Sequence, residues 1–279
     1  MNLISVNIHL TRACNYRCKF CFAHFNDEKG VLSFDDWKFI IDQLFLHGTE
    51  KITFVGGEPL LYHDIEKLLK FTHEKGITTC IVTNGSLIRE KFLYDNNQNL
   101  DWIGFSIDSS NENTERLLGR KMYNSNIHAH INYILGLIPL IKQLGIRIKI
   151  NTVITKLNWK ESMQSLMKEL NPDRWKVFQV LHIFGENDAF LKEYSVNEKE
   201  FNHFINNHKN LNPIKETNCD MRGSYIMIDN KGRFFDNTKG YLRRSRPIIE
   251  VGMKNAFKEI SFSSVKMKKR EGIYDWKSH

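Results

Sequence analysis

No apolar run in this chain approaches the roughly 18 residues that a membrane-spanning helix needs. The first residues read as a strand (Leu3-Ile4-Ser5-Val6-Asn7-Ile8-His9-Leu10), not as a signal peptide or an amphipathic lead helix. These absences predict a cytoplasmic protein without a membrane anchor. Internal repeats and low-complexity tracts are absent too. Cysteine is scarce: five in 279 residues, an odd number, with three inside eight positions. Three so close cannot all pair with one another, so metal binding in a reducing compartment fits better than a disulfide framework. The net charge of +8 and pI near 9.1 favour an anionic partner without choosing among nucleotide, nucleic acid and membrane.

What is present alternates. Strand candidates rich in Val, Ile, Phe or Thr fall at 3–10, 51–55, 77–83, 102–107, 146–154 and 174–181. Helical patterns lie between most of them. Ser33 can cap a helix whose apolar positions Trp37, Ile40, Ile41, Leu44 and Phe45 recur at helical spacing, with Gly48 beyond its end. Others are predicted over about 64–73, 125–144 and 158–169. Repeated βα units imply parallel strands joined by right-handed crossovers, with functional residues at the carboxyl ends of the strands. An α/β fold follows: a partial (β/α)6 barrel over 1–195, the alternative being an open doubly wound sheet. After 195 the texture turns polar, with a helix near 197–207 and a hairpin over 224–235 turning at Asp229-Asn230-Lys231-Gly232. We read 196–279 as a small α+β extension capping the barrel mouth.

Directly after the first strand comes Cys14-Asn15-Tyr16-Arg17-Cys18-Lys19-Phe20-Cys21. Closely spaced thiolates on a loop can wrap one iron–sulfur cluster, and three of them leave one iron open for chemistry. His24 keeps a Cys3His zinc site open on spacing alone. At the end of the second strand stands Gly56-Gly57-Glu58-Pro59. Its glycines would let the backbone approach a ligand, and its carboxylate could accept bonds from an amine. Together the two motifs resemble the radical S-adenosylmethionine (SAM) superfamily. That resemblance implies a [4Fe–4S] cluster on Cys14, Cys18 and Cys21, with SAM bound to the fourth iron and its amine met by Gly56, Gly57 and Glu58. No second cysteine cluster supports auxiliary centres; Cys80, inside an apolar strand, reads as a buried thiol and Cys219 is isolated.

Side chains alternate across a strand. Arg147, Lys149 and Asn151 share one face of the fifth strand, opposite Ile146, Ile148 and Ile150; Arg174, Lys176 and Phe178 share a face of the sixth. If the apolar faces meet outer helices, the cations point inward, which is costly unless an anion pairs with them. Lys51 and Asn7 can join them, and such a set suits a polyphosphate. The competing reading is a solvated edge with outward charges. Lys266, Lys268, Lys269 and Arg270 read as a solvated face.

The same residues carry a closer match. Asn7-Ile8-His9-Leu10-Thr11-Arg12, Thr83-Asn84-Gly85-Ser86-Leu87-Ile88, Lys149-Ile150-Asn151, Asn171-Pro172, Arg174-Trp175-Lys176-Val177-Phe178-Gln179, Gly185-Glu186-Asn187 and Ser224-Tyr225 occur in order and resemble the viperin family, over about residues 5–276. The resemblance implies a radical SAM dehydratase. It would convert a ribonucleoside triphosphate (CTP, UTP or GTP) to its 3′-deoxy-3′,4′-didehydro analogue, an antiviral chain terminator. Lys51, Lys149, Asn151, Arg174 and Lys176 match triphosphate positions, Asn7 a ribose-side position, Tyr225 a proposed proton or hydrogen donor, and Asn84, Ser106 and Arg120 SAM-side positions. Val55 stands where the family has serine, and Leu242 where animal members have a phosphate-binding lysine, for which Arg243 or Arg244 would substitute. The missing anchoring helix suggests a prokaryotic member. An electron donor such as flavodoxin or ferredoxin, no nucleic-acid partner and action as a monomer are expected. The competing functions are a radical SAM enzyme acting on a peptide or RNA base, and a zinc-stabilised nucleic-acid-binding module.

Overall fold

The computed structural model describes residues 3–25, 30–122 and 130–277. Six parallel strands arise where the alternating pattern predicts them: β1 (Ser5–His9), β2 (Lys51–Val55), β3 (Thr78–Thr83), β4 (Trp102–Ser106), β5 (Arg147–Ile154) and β6 (Arg174–Gln179). They pair in sequence order, each with the next. One face is apolar throughout. Val6, Ile8, Ile52, Phe54, Ile81, Ile103, Phe105, Ile148, Ile150, Trp175 and Val177 are all buried there. The opposite face carries Asn7, Lys51, Lys149, Asn151 and Lys176, and these line a cavity. A parallel sheet needs cover on its apolar side, and the crossover helices supply it.

The helices are α1 (Phe34–Leu46), α2 (Ile65–His73), α3 (Glu90–Asn96), α4 (Glu112–Leu118), α5 (His130–Gln143) and α6 (Gln164–Leu170). Ser33 caps α1 by a capping box: its hydroxyl accepts from the Asp36 amide at 3.1 Å and the Asp36 carboxylate accepts from the Ser33 amide at 3.1 Å. Such a cap contributes about 1 kcal/mol. Trp37, Ile40, Ile41 and Leu44 are buried as expected, whereas Phe45 is exposed. The short α3 and α4 escape the periodic reading, since seven residues hold too few turns to show it. The expected start of α5 near 125 lies outside the described residues, and α6 begins later than 158.

Residues after 195 also join the sheet. β7 (Ile214–Glu216) pairs parallel with β6, and β8 (Ile226–Ile228) pairs parallel with β1. The hairpin forms as predicted: β8 turns at Asp229 into antiparallel β9 (Arg233–Asp236), followed by β10 (Arg243–Pro247). The result is one ten-stranded sheet in the order β10-β9-β8-β1-β2-β3-β4-β5-β6-β7. The extension thus continues both edges of the barrel sheet. The short helix α7 (Leu191–Tyr194) precedes it, and it adds α8 (Glu198–Asn207), α9 (Asn218–Met221), α10 (Ile248–Val251), α11 (Met253–Lys258) and α12 (Ser264–Lys269). Beyond α12, Tyr274 and Trp276 fold under the barrel. The Trp276 carbonyl accepts from the indole of Trp102, the first residue of β4, at 3.0 Å. Among the described residues no helix is long and apolar enough to cross a membrane.

Candidate active site

A cavity of about 1070 Å³ opens at the carboxyl ends of the strands and reaches into the barrel. A pocket for one small ligand is about 300–1,000 Å³, so this one has room for two. Its upper part is built by loops. Cys14, Cys18 and Cys21 line it together with Gly56, Gly57, Asn84, Ser106 and Arg120. The Arg120 guanidinium lies 3.6 Å from the Cys18 sulfur and pairs with the buried carboxylate of Asp108. The Tyr16 amide points at the Cys14 sulfur at 3.4 Å. Burial pushes all three thiols up, that of Cys21 to about 11. Nearby positive charge and amide donors are what a loop needs to hold sulfur ligands as thiolates. Among the described residues no three His, Cys, Asp or Glu side chains close on a point that would hold a single ion. His24 also lines the cavity, its Nδ1 3.0 Å from the Glu186 carbonyl oxygen.

The Gly-Gly-Glu-Pro segment also braces the fold. A Cβ on Gly57 would stand 2.2 Å from the Ala13 carbonyl oxygen, and one on Gly56 2.7 Å from that of Thr11. The glycines let β2 pack against the backbone leading into the cysteine loop. The Glu58 carboxylate is fully buried and faces away from the cavity; it accepts from the Thr83 hydroxyl at 2.7 Å, the Asn84 amide at 2.9 Å and the Leu60 amide at 3.2 Å. It ties β2 to the end of β3, with Oε2 accepting a single bond, from the Asn84 amide. Asn84 in turn donates to Asn15 at 2.8 Å, and Asn15 to the Ser86 hydroxyl at 2.8 Å. His130, which sequence reasoning missed, braces the Asn84 carbonyl at 2.8 Å and reaches Glu115 at 3.2 Å.

The lower part of the cavity is cationic. Lys51, Lys149, Lys176 and Arg270 line it, with Asn7, Asn151 and Tyr225. Burial pushes Lys51 down to about 7 and lowers Lys149 and Lys176 as well. Lys176 pairs with the buried Glu216 of β7. The Tyr225 hydroxyl donates to Glu216 at 2.5 Å and accepts from Lys176 at 3.2 Å. Arg270 lies over the Tyr225 ring at 3.5 Å, bonds the Ser224 carbonyl at 3.0 Å and reaches Glu216 at 3.4 Å. Lys149 makes no hydrogen bond or ion pair among the described residues, and the side-chain oxygen Oδ1 of Asn151 is buried without a partner among them. Unpaired groups of this kind want an anion with several acceptors and some donors.

Three expectations change here. Arg270 is not on a solvated face but buried against Tyr225. Arg174 does not line the cavity; it stacks on the Tyr274 ring at 3.8 Å and bonds the Glu271 carbonyl. Arg243 lies away from the cavity, paired with Asp236 at 2.8 Å, while Arg244 reaches Asp229 at 3.5 Å and Leu242 is buried with Met227 and Phe235. Glu216, Arg270 and Tyr274 went unseen because short isolated elements carry them, and no local pattern shows that such elements return to the barrel.

The family profile of the "Radical SAM superfamily" matches residues 8–174. A "S-adenosylmethionine-dependent nucleotide dehydratase" of Flammeovirga pacifica is 46% identical over 98% of this chain and 96% of that one. The chain belongs to the radical SAM nucleotide dehydratases. Among vertebrate members, "S-adenosylmethionine-dependent nucleotide dehydratase RSAD2" of Oncorhynchus mykiss is 36% identical over 98% of this chain and 80% of that one. The structure solved as "Native anSMEcpe with bound AdoMet" shares the fold, with a TM-score of 0.72 at 19% identity over 95% of this chain and 82% of that one. As a member of this family the chain is an enzyme that dehydrates a nucleotide and uses a [4Fe–4S] cluster and SAM. The resemblance to the viperin family read from the sequence motifs is thereby borne out.

Proposed function

We propose that the substrate is a ribonucleoside triphosphate and that the product is its 3′-deoxy-3′,4′-didehydro analogue, made in the cytoplasm as an antiviral terminator. The observation that carries this reading is the cationic floor: Lys51, Lys149, Lys176 and Arg270 line one cavity, and Glu216 is the carboxylate set against them. A triphosphate neutralises such a set; a peptide or an unphosphorylated base does not. Cys14, Cys18 and Cys21 would hold the cluster, and Gly56, Gly57, Asn84, Ser106 and Arg120 would surround SAM. The bound cluster and SAM supply the carbon radical that takes a hydrogen atom from the ribose. An external one-electron donor, such as a flavodoxin or ferredoxin, closes the cycle.

The protein's part is to bind, orient and move a proton. Phosphates on the floor set the ribose between Asn7 and the upper loops. Loss of the 3′-hydroxyl as water needs a proton at the departing oxygen. Tyr225 can give it: burial holds the phenol well above its ordinary pKa, so it stays protonated, with its hydroxyl set between Glu216 and Lys176. Anaerobic turnover with SAM, a reductant and each of the four ribonucleoside triphosphates, followed by mass spectrometry, tests the reading; water loss from none of them overturns it. Tyr225→Phe keeps the ring and is expected to bind nucleotide and cleave SAM while forming at least about tenfold less didehydro product per SAM. An unchanged yield would make Tyr225 a packing residue.

A further inference from the structure

The wall of the cavity formed by β1, β8, the end of α9 and the loops after Phe20 and after β6 differs from the cationic floor and from the cluster loop. It is mostly apolar, with Phe22, Ala23, Leu181, Met221 and Met227 lining it. A few polar groups interrupt it, and most are already engaged. His24 meets the Glu186 carbonyl at 3.0 Å, the Glu186 carboxylate accepts from the Phe25 amide at 2.8 Å, and the Asn237 side-chain oxygen accepts from the Gly223 amide at 2.9 Å. His9 is different. It lies two residues beyond Asn7 on the inner face of β1, lines the cavity, and is 4% exposed. Its Nδ1 is buried with no hydrogen-bond partner among the described residues. The rings of Phe22, Phe25 and Phe235 meet it edge-on, with centroids at 6.3, 5.2 and 5.2 Å. Packing therefore fixes the imidazole without satisfying it.

Nδ1 is sealed by this packing, but the part of the ring that opens on the cavity makes no hydrogen bond among the described residues, and a ligand group is its natural partner. The proposed substrate has one part still unplaced. Its phosphates belong on the floor and its ribose beside the upper loops, which leaves the base. A flat aromatic base needs apolar walls and one or two polar groups at its edge. We propose that this wall is the nucleobase subsite and that His9 is a specificity-determining residue that hydrogen-bonds the edge of the base. The proposal rests on the nucleotide reading above. Burial pushes the His9 pKa down to about 3, so the ring is neutral and offers one donor and one acceptor. A neutral imidazole distinguishes base edges by their donor and acceptor pattern, and a mismatch leaves a buried group unpaired.

The test uses reconstituted protein with SAM and measures equilibrium affinity for ATP, CTP, GTP, UTP and base-free ribose 5-triphosphate. Wild type is expected to prefer one or two bases. His9→Phe should lower affinity for the preferred nucleotide by at least about tenfold, towards that of the others. Affinity for ribose 5-triphosphate should stay unchanged. His9→Gln, which keeps a donor and an acceptor, should alter the ranking rather than erase it. On the unaltered protein, the His9 ring nitrogen resonances should move with nucleotide and not with ribose 5-triphosphate, a readout independent of variant folding. Equal wild-type affinity for all four bases, an unchanged ranking in His9→Phe, or equal loss for ribose 5-triphosphate would overturn the assignment to His9. Failure of every triphosphate to bind wild type would instead remove the nucleotide reading on which it rests.

Discussion

The two halves of the cavity are built by opposite means. The upper half is a set of loops joined by hydrogen bonds that are already complete: Glu58 holds β2 to β3, Asn84 and Asn15 join the β3 loop to the cysteine loop, and His130 braces both from behind. The lower half is a cluster of cations facing the carboxylate of Glu216, with Lys149 unpaired among the described residues. The first half is organised without ligand. The second is organised around a charge that has yet to arrive. Variants should therefore separate them: changes above should abolish chemistry and spare folding, whereas changes below should trade folding against substrate binding.

The largest effect is expected above. Cys18→Ala should drop iron content from about four per chain to near zero and abolish SAM cleavage, because two thiolates do not retain the cubane. The metal-free variant should melt close to the metal-free parent, since among the described residues the thiol meets only the Arg120 guanidinium by a polar contact. Full iron loading and turnover in this variant would remove the distinction.

Below, Glu216→Gln should have the reverse signature. It removes the carboxylate that faces Lys176, Arg270 and the Tyr225 hydroxyl, leaving buried cations uncompensated. A loss of about 3 kcal/mol of stability is expected for metal-free protein, the usual scale for breaking a buried pair. Added nucleoside triphosphate should raise the melting temperature of the variant more than that of wild type. A melting temperature equal to wild type in both conditions would mean that the floor is wet and the pairing unimportant.

The same contrast governs what was legible in the sequence. β1 to β6 could be read because Ile148, Ile150 and their like alternate with polar residues over five to eight positions, a local pattern with a direct physical cause. The cysteine loop was readable because its ligands are contiguous. The inward cationic stripes of β5 could be inferred from the same alternation. What closes the floor could not. Glu216 sits in a three-residue strand, and Arg270 and Tyr274 follow a lysine-rich helix that by itself looks solvated. Their cationic partners are 40 or more positions away in sequence, as with Lys176 and Glu216 or Lys51 and Tyr274, so only the folded chain brings them together. Glu58 shows the same limit: that its carboxylate also ties β2 to β3, through Thr83 and Asn84, appears only once β3 is placed beside it.

Lys149 sharpens the comparison with Glu216. Among the described residues it has no hydrogen bond or ion pair to lose, and burial opposes its charge. Lys149→Ala should leave the melting temperature unchanged or raise it, yet weaken triphosphate binding by about 10–100-fold, or about 1.5–3 kcal/mol for a lost charge-assisted bond. Arg174→Ala should weaken it less, since Arg174 stacks on Tyr274 outside the cavity lining. Equal losses from the two would place both side chains on the phosphate.

The smallest effect concerns pH. Burial holds Lys51 near a pKa of about 7, and its amine donates to the Tyr274 hydroxyl. The unfolded chain keeps that proton up to about 10.4. Its contribution to stability is therefore full above the unfolded value and is lost as pH falls through about 7, where the folded protein must charge a buried amine. Substrate reverses the preference. A triphosphate favours the ammonium form, so binding should take up a proton near neutral pH, and affinity should fall as pH rises from about 6.5 to 8.5, by no more than about tenfold per unit. The last phosphate ionisation runs the other way, adding negative charge over part of this range. The difference between wild type and Lys51→Arg removes that common slope, because arginine stays charged throughout. Wild type should lose affinity relative to Lys51→Arg on the alkaline side, and calorimetry in buffers of different ionisation enthalpy should show the proton uptake in wild type alone. Parallel pH curves and equal proton uptake would show that Lys51 is charged before the nucleotide arrives, and that the floor of the barrel is as ready for its ligand as the loops above it.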